Sequence, residues 1–127
     1  MNTIYRHIQV APATGALGAE ISGVDLSRPL SAEAAREIKQ AFNEYLVIYF
    51  HDQAITPGQQ CDFARLFGPL TKHPFIKTLP DHPEVAPLIR DADDPGLALN
   101  FGGSWHNDVT FMERPPLGSM LYAVDPP

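Results

Sequence analysis

The spacing of apolar residues predicts the elements of the first third of the chain. Residues 3–10 are rich in β-branched and aromatic side chains, which predicts a strand, and 19–26 resume extended structure. Over 32–45, apolar residues recur at helical spacing directly after Ser31, a residue type favoured at helix N-caps. We therefore predict an amphipathic helix at 32–45 whose apolar stripe faces a sheet.

A short strand and a second helix are predicted in the middle of the chain. The continuous apolar run "LVIYF" at 46–50 is typical of a strand buried on both faces. Thr56 and Pro57 have the residue types of a helix N-cap and first turn, and Gly68-Pro69 would end that helix. Its predicted inward-facing side chains are Cys61, Ala64 and Phe67.

The pattern is weaker in the C-terminal third. A short strand is predicted at 88–90, followed by an acidic, glycine-rich loop that is long enough to indicate a function. The segments 104–111 and 117–125 are the last two predicted strands. The predicted elements make up an α+β, mainly β chain.

Composition and charge exclude several classes of protein. The 127 residues include no apolar run of the roughly 18 residues that a membrane span needs. The N-terminus lacks the apolar segment of a secretion signal, and Cys61 has no second cysteine with which to form a disulfide. The net charge is −6, and the basic residues are scattered singly. We expect a cytoplasmic protein with no membrane and no nucleic-acid partner.

The stretch "GGSWHNDVTF" contains the main candidate for chemistry. Residues i and i+2 of a strand point to the same face, so His106 and Asp108 would project together. Such a pair can supply two ligands to a divalent metal, and two histidines with one carboxylate are typical of non-haem Fe(II) oxygenases. The tripeptide alone favours a plainer interpretation, a hydrogen-bonded or solvated pair. The surrounding sequence has to decide between them.

That surrounding sequence resembles a known family. "WHNDVTF" is followed by "ERPPLGSMLYA" and preceded by "GAEISGVDLSRPL", "LVIYFHDQAITPGQQ" and "FARLFGPLTKHP". In this order, from about residue 8 onward, the blocks resemble the N-terminal part of the taurine dioxygenase family of Fe(II)/2-oxoglutarate-dependent dioxygenases. The resemblance implies that residues 1–127 are the N-terminal portion of a single dioxygenase domain.

The resemblance also implies roles for individual residues. His106 and Asp108 match the first two iron ligands, and His73 matches a histidine that binds the sulfonate in taurine-cleaving members. A plain loop histidine ahead of Pro74 is the alternative for His73, and it stays open. Val109 matches an apolar position of the substrate pocket. Family members have a second histidine ligand and an arginine that binds 2-oxoglutarate farther toward the C-terminus, and neither position falls within these residues. The resemblance assigns no iron to the other histidines, His7, His51 and His82.

Two positions depart from the taurine-specific pattern. Ile76 stands where taurine-specific members have a tyrosine, and Gly102 stands where they have an asparagine. A site built to hydrogen-bond its substrate discriminates strongly when a partner is missing. The departures disfavour taurine and leave another sulfonate, a sulfate ester or a carboxylated small molecule open. Gly102-Gly103 favours turn geometry, and because its missing side chain also makes room for a larger molecule, Gly102 is a candidate substrate-binding position.

The resemblance implies a double-stranded β-helix, or jelly-roll, with flanking helices, of which only the N-terminal part is present. The implied reaction uses Fe(II) and O2 to convert 2-oxoglutarate to succinate and CO2 while a small organic substrate is hydroxylated. Two other hypotheses stay open. The chain could be a non-catalytic remnant that binds small anions or a partner chain, or a zinc hydrolase built on His106 and Asp108. Homo-oligomerisation also stays open.

Overall fold

The sheet and both helices lie in the first 68 residues. The computed structural model describes residues 4–89 and 105–124. Residues 1–68 form one compact unit and residues 69–127 a second. No helix in the described ranges has the length and apolar character that a membrane span requires. The elements are β1 (Gln9–Pro12), β2 (Ala19–Ser22), α1 (Ala32–Tyr45), β3 (Ile48–Tyr49) and α2 (Pro57–Ala64).

The three strands form one mixed sheet in the order β1-β2-β3. β1 and β2 are antiparallel, with Val10 opposite Ile21, whereas β2 and β3 are parallel, with Ala19 opposite Ile48. Ala19 and Ile21 are buried on the same face of the central strand. α1 contacts both β2 and β3. The predicted α+β class and the helix lying on a sheet are therefore confirmed, but the described residues are not mainly β, because the two helices are longer than the three strands.

α1 spans the predicted residues because both of its ends are capped. The Ser31 hydroxyl accepts a hydrogen bond from the Ala34 backbone N–H at 3.1 Å, which satisfies one amide that the first turn leaves without a helical partner. At the other end Leu46 has a φ of 65°, and its N–H donates to the Phe42 carbonyl. The buried side chains of the helix are Ala34, Glu37, Ile38 and Ala41.

A capping box begins α2 at the predicted place. The Thr56 hydroxyl accepts from the Gln59 backbone N–H, and the Gln59 side-chain oxygen accepts from the Thr56 N–H. The Gln59 amide group also donates to the Ser27 carbonyl at 2.8 Å. This side chain therefore fixes both the start of α2 and the loop that follows β2.

The apolar side of α2 differs in part from the predicted one. Cys61 is buried as predicted, while Ala64 and Phe67 are only half-buried. Phe63, which the spacing did not single out, is buried instead. Its ring meets Phe50 and Phe67 edge-on, with centroids 5.5 and 5.7 Å away. These edge-to-face contacts help to hold α2 in place, although apolar residues recur only weakly at helical spacing along it.

The first two strands are shorter than predicted. The predicted strand starts at residue 3, which is not described, and over the described residues β1 begins only at Gln9. The backbone N–H groups of residues 6–8 instead donate to the Glu37 carboxylate of α1. Those amides are therefore not available to a strand ladder. β2 ends at Ser22, before Gly23, whose φ of 84° no strand residue adopts.

β3 contradicts the prediction of a doubly buried strand. Only Ile48–Tyr49 pair with β2, although 46–50 were predicted. The Val47 N–H donates to the Tyr45 carbonyl, which holds the chain in a turn directly after α1. Ile48 is half-buried and Tyr49 is exposed. The apolar run thus encodes the end of a helix and a short edge strand.

The second unit has neither helix nor strand within its described parts, 69–89 and 105–124. The predicted strands at 104–111 and 117–125 are wrong over the described residues, and so is the strand predicted at 88–90, whose residue 90 is not described. Val109 has a φ of 43°, and its carbonyl accepts from the Met112 N–H, which closes a turn. An alternating pattern does not reveal such a turn.

Candidate metal centre

His106 and Asp108 lie together in the second unit, although no strand carries them. The Nε2 atom of His106 is 3.3 Å from Oδ1 of Asp108. Their side chains are 50% and 58% exposed, so both side chains are open to solvent. The predicted proximity of the pair therefore holds, but not because the two residues share a strand face. An imidazole nitrogen and a carboxylate oxygen at this distance suit two neighbouring positions of a divalent metal.

The other oxygen of Asp108 is bound by Ser119. The Ser119 hydroxyl donates to Oδ2 at 3.0 Å, across eleven residues of sequence. A carboxylate only accepts hydrogen bonds, so the serine supplies the donor. The two oxygens are thereby distinguished, since Oδ1 faces His106 and Oδ2 faces Ser119. No pattern in the sequence indicates this contact, because Ser119 lies in a segment predicted as a separate strand.

Val109 follows the pair at the start of the turn. Its side chain is half-buried, and its left-handed backbone is rare for a β-branched residue. Holding such a conformation costs on the order of 1–3 kcal/mol, and strained residues of this kind cluster at functional sites. The turn that begins at Val109 therefore follows Asp108 directly.

His73 is fixed by the backbone of its own loop. The Phe75 N–H donates to Nδ1 of His73 at 3.2 Å. Because a backbone N–H can only donate, the neutral ring carries its proton on Nε2. The ring also meets Phe75 edge-on, with centroids 6.2 Å apart. His73 therefore has a defined orientation and presents Nε2–H as a hydrogen-bond donor.

Two aromatic rings connect the His73 loop to the segment that carries the metal-ligand candidates. Phe75 and Phe111 are stacked, with centroids 6.2 Å apart and planes inclined by 30°. Both side chains are about three-quarters exposed, at 75% and 74%. Phe111 comes three residues after Asp108, so the stack brings the His73 loop beside that segment. Sequence reasoning did not predict this contact.

The remaining candidates lie in the first unit or outside the described residues. Gly102 and the acidic residues at 91–94 fall outside the described ranges. His7 contacts a glutamate of α1, and the His51 ring lies against a tyrosine of β3, both in the first unit. In the part of the chain that the structure describes, no three histidine, cysteine or acidic side chains are grouped to hold a metal. The donors present thus fit two positions of a metal site.

Comparison with known proteins identifies the family. A sequence model described as "Taurine catabolism dioxygenase TauD, TfdA family" matches residues 9–127. The chain belongs to this family, and the resemblance found in its sequence is confirmed. The matched range includes His73, His106 and Asp108.

Individual relatives agree with this assignment. The chain is 37% identical, over 121 residues, to an alpha-ketoglutarate-dependent sulfate ester dioxygenase of Pseudomonas putida, covering 94% of this chain and 38% of that protein. It is 35% identical, over 117 residues, to an alkylsulfatase of Acinetobacter baylyi, covering 91% of this chain and 35% of that protein. The crystal structure of a taurine dioxygenase from Burkholderia xenovorans matches with a TM-score of 0.60 at 36% identity, over 67% of this chain and 32% of that one. The chain thus spans about a third of the length of these relatives.

Proposed function

We propose that these residues form part of an Fe(II)/2-oxoglutarate-dependent dioxygenase that hydroxylates a small organic substrate. The observation that carries the proposal is the 3.3 Å approach of His106 Nε2 to Asp108 Oδ1 within a stretch that matches a dioxygenase family. One imidazole and one carboxylate supply two of the three ligands of a non-haem Fe(II) site. The match to a dioxygenase family favours this chemistry over a zinc hydrolase built on the same pair.

In the complete enzyme, the third ligand of Fe(II), a histidine, and the arginine that binds 2-oxoglutarate would lie outside these 127 residues. The relatives support this, since the chain spans 38% of the Pseudomonas putida protein. When bound, Fe(II) and 2-oxoglutarate supply, with O2, the oxidation of the substrate and the release of succinate and CO2. His106 and Asp108 hold the metal, and Val109 contributes an apolar wall of the substrate pocket.

A sulfate ester or a sulfonate is the proposed substrate class. His73 presents an Nε2–H donor of fixed orientation, which suits an anionic sulfuryl oxygen. The names of the two curated relatives, a sulfate ester dioxygenase and an alkylsulfatase, agree with such a substrate. Ile76 and Gly102 stand where taurine-specific members have two hydrogen-bonding side chains. Their absence favours a larger, less polar substrate than taurine. Hydroxylation of the carbon that bears the sulfate oxygen would yield an aldehyde and sulfate.

The complete enzyme is proposed to fold as a jelly-roll with flanking helices and to act in the cytoplasm. The likeness to the Burkholderia xenovorans structure supports the fold, and the single buried cysteine, Cys61, agrees with a reducing compartment. The proposed partners are the small-molecule substrate and O2.

The test is turnover by the full-length gene product with Fe(II), 2-oxoglutarate and O2 across alkyl sulfates, alkanesulfonates and taurine. We expect succinate and sulfate to form together with alkyl sulfates, and taurine to be a poor substrate. The 127 residues on their own should form no succinate. Sulfate release that requires zinc and not 2-oxoglutarate would instead identify a hydrolase.

A further inference from the structure

We propose that Ser119 is a positioning residue that holds the Asp108 carboxylate in the orientation needed to bind the metal. The inference rests on the proposed function, because it concerns the same metal site. Its evidence is the separate environment of the two carboxylate oxygens. Oδ2 accepts from the Ser119 hydroxyl at 3.0 Å, while Oδ1 is 3.3 Å from His106 Nε2.

An unrestrained aspartate would not keep this arrangement. The terminal torsion of aspartate is broad, so the plane of its carboxylate rotates readily. Asp108 is more than half exposed, and packing alone therefore restrains it little. A hydrogen bond from Ser119 to one oxygen restrains the carboxylate plane and keeps the other oxygen toward the imidazole. Carboxylates that bind metals are commonly held by such a partner, whose loss costs about 10- to 100-fold in metal affinity or activity.

The position of Ser119 suits this role. It approaches Asp108 from beyond the turn that Val109 begins, so it does not compete with His106 for the same oxygen. A serine hydroxyl is short, and its hydrogen rotates to meet the acceptor. Threonine retains this hydroxyl, whereas alanine removes it with little change in volume. The two substitutions therefore separate the hydrogen bond from the packing of the side chain.

The experiment measures binding of Mn(II) to the full-length protein under anaerobic conditions, using the electron paramagnetic resonance signal of the free aqueous ion. Ser119→Ala should weaken Mn(II) binding by about 10- to 100-fold, and Ser119→Thr should restore most of it. Ser22→Ala is the matched control, because it also removes an exposed serine hydroxyl that donates to a side chain, Gln9, in the first unit. Its Mn(II) affinity should equal that of the unsubstituted protein.

Each outcome has a distinct meaning. Weaker binding by Ser119→Ala, with an unchanged Tm and rescue by threonine, supports the positioning role. Unchanged Mn(II) affinity in Ser119→Ala overturns it, and so does a loss that threonine fails to rescue and that accompanies a lower Tm, because the contact would then serve only to fold the segment. If the unsubstituted protein does not bind Mn(II), the proposed function itself fails, and the role of Ser119 fails with it.

Discussion

His7 binds the carboxylate of Glu37 twice. Its backbone N–H donates to Oε2 at 2.9 Å, and its ring Nδ1 lies 2.9 Å from Oε1. The N–H groups of Arg6 and Ile8 donate to the same carboxylate, so three consecutive amides converge on it. Glu37 is only 9% exposed, and without these partners a buried carboxylate would be strongly unfavourable. The contact attaches the segment before β1 to α1.

Acid should therefore lower the free energy of unfolding of the first unit. Burial by itself raises the pKa of Glu37, but hydrogen bonds from His7 and Arg6 outweigh it and lower the pKa from 4.5 to about 2. Because the folded pKa is the lower one, the stabilisation is complete above the unfolded pKa and is lost as the pH falls from about 4.5 to about 2. Urea titrations across this interval should show a falling free energy of unfolding.

Glu37→Gln tests the same contact at constant pH. The variant should lower the Tm at neutral pH, because a neutral amide offers one acceptor oxygen to the donors that now share two. The free energy of unfolding of this variant should also fall less with acid than that of the unsubstituted protein. Glu33→Gln, on the exposed side of α1, is the control and should keep that dependence. An acid dependence that is equally steep in Glu37→Gln would contradict the assignment.

Ile38 should be a main contributor to the stability of the first unit. It is fully buried between α1 and the sheet, at 0% exposure. Ile38→Ala should reduce the free energy of unfolding by about 2–5 kcal/mol, measured by urea denaturation. Ile4→Ala removes the same atoms from an exposed side chain and should change it by less than about 0.5 kcal/mol. Similar losses in the two variants would contradict the described core.

His73 should contribute to substrate affinity and not to metal binding. A hydrogen bond to a charged group is worth about 1.5–3 kcal/mol, so His73→Ala in the full-length enzyme should lower kcat/KM for a sulfate ester by about 10- to 150-fold. Mn(II) affinity should be unchanged. His82→Ala, which alters another half-buried histidine of the same unit, is the control and should have normal kinetics. A normal kcat/KM for His73→Ala would remove the anion-binding role.

The stack of Phe75 on Phe111 should be measurable as a coupling. A double-mutant cycle with Phe75→Ala and Phe111→Ala should give an interaction free energy of about 0.5–1.5 kcal/mol. The readout is the free energy of unfolding of the full-length protein. Phe75→Ala combined with Leu117→Ala is the control pair, and it should be additive. Additivity in the Phe75–Phe111 pair would contradict the contact.

The features predicted from sequence are those decided by neighbouring residues. Ser31 and Thr56 each accept from an amide three residues ahead, and both helices begin where these residues predict. The bond from Ser119 to Asp108 crosses eleven residues, and the bonds to Glu37 cross about thirty. Contacts over such distances leave no periodic signal in the sequence. They shorten β1 and complete the surroundings of Asp108.

The proximity of His106 to Asp108 was predictable from the sequence, but the backbone that brings them together was not. The spacing of His106 and Asp108 and the ordered blocks around them indicated a metal pair and a family. The strand expected to carry the pair is absent from the described residues, because Val109 turns the chain in the left-handed region. Sequence alternation cannot report a single backbone torsion of this kind.

The central claim, that His106 and Asp108 bind Fe(II), is tested most directly by His106→Ala in the full-length gene product. We expect this variant to lose both Mn(II) binding and the formation of succinate from 2-oxoglutarate, while His51→Ala retains both. Near-normal Mn(II) affinity and succinate formation in His106→Ala would contradict the account.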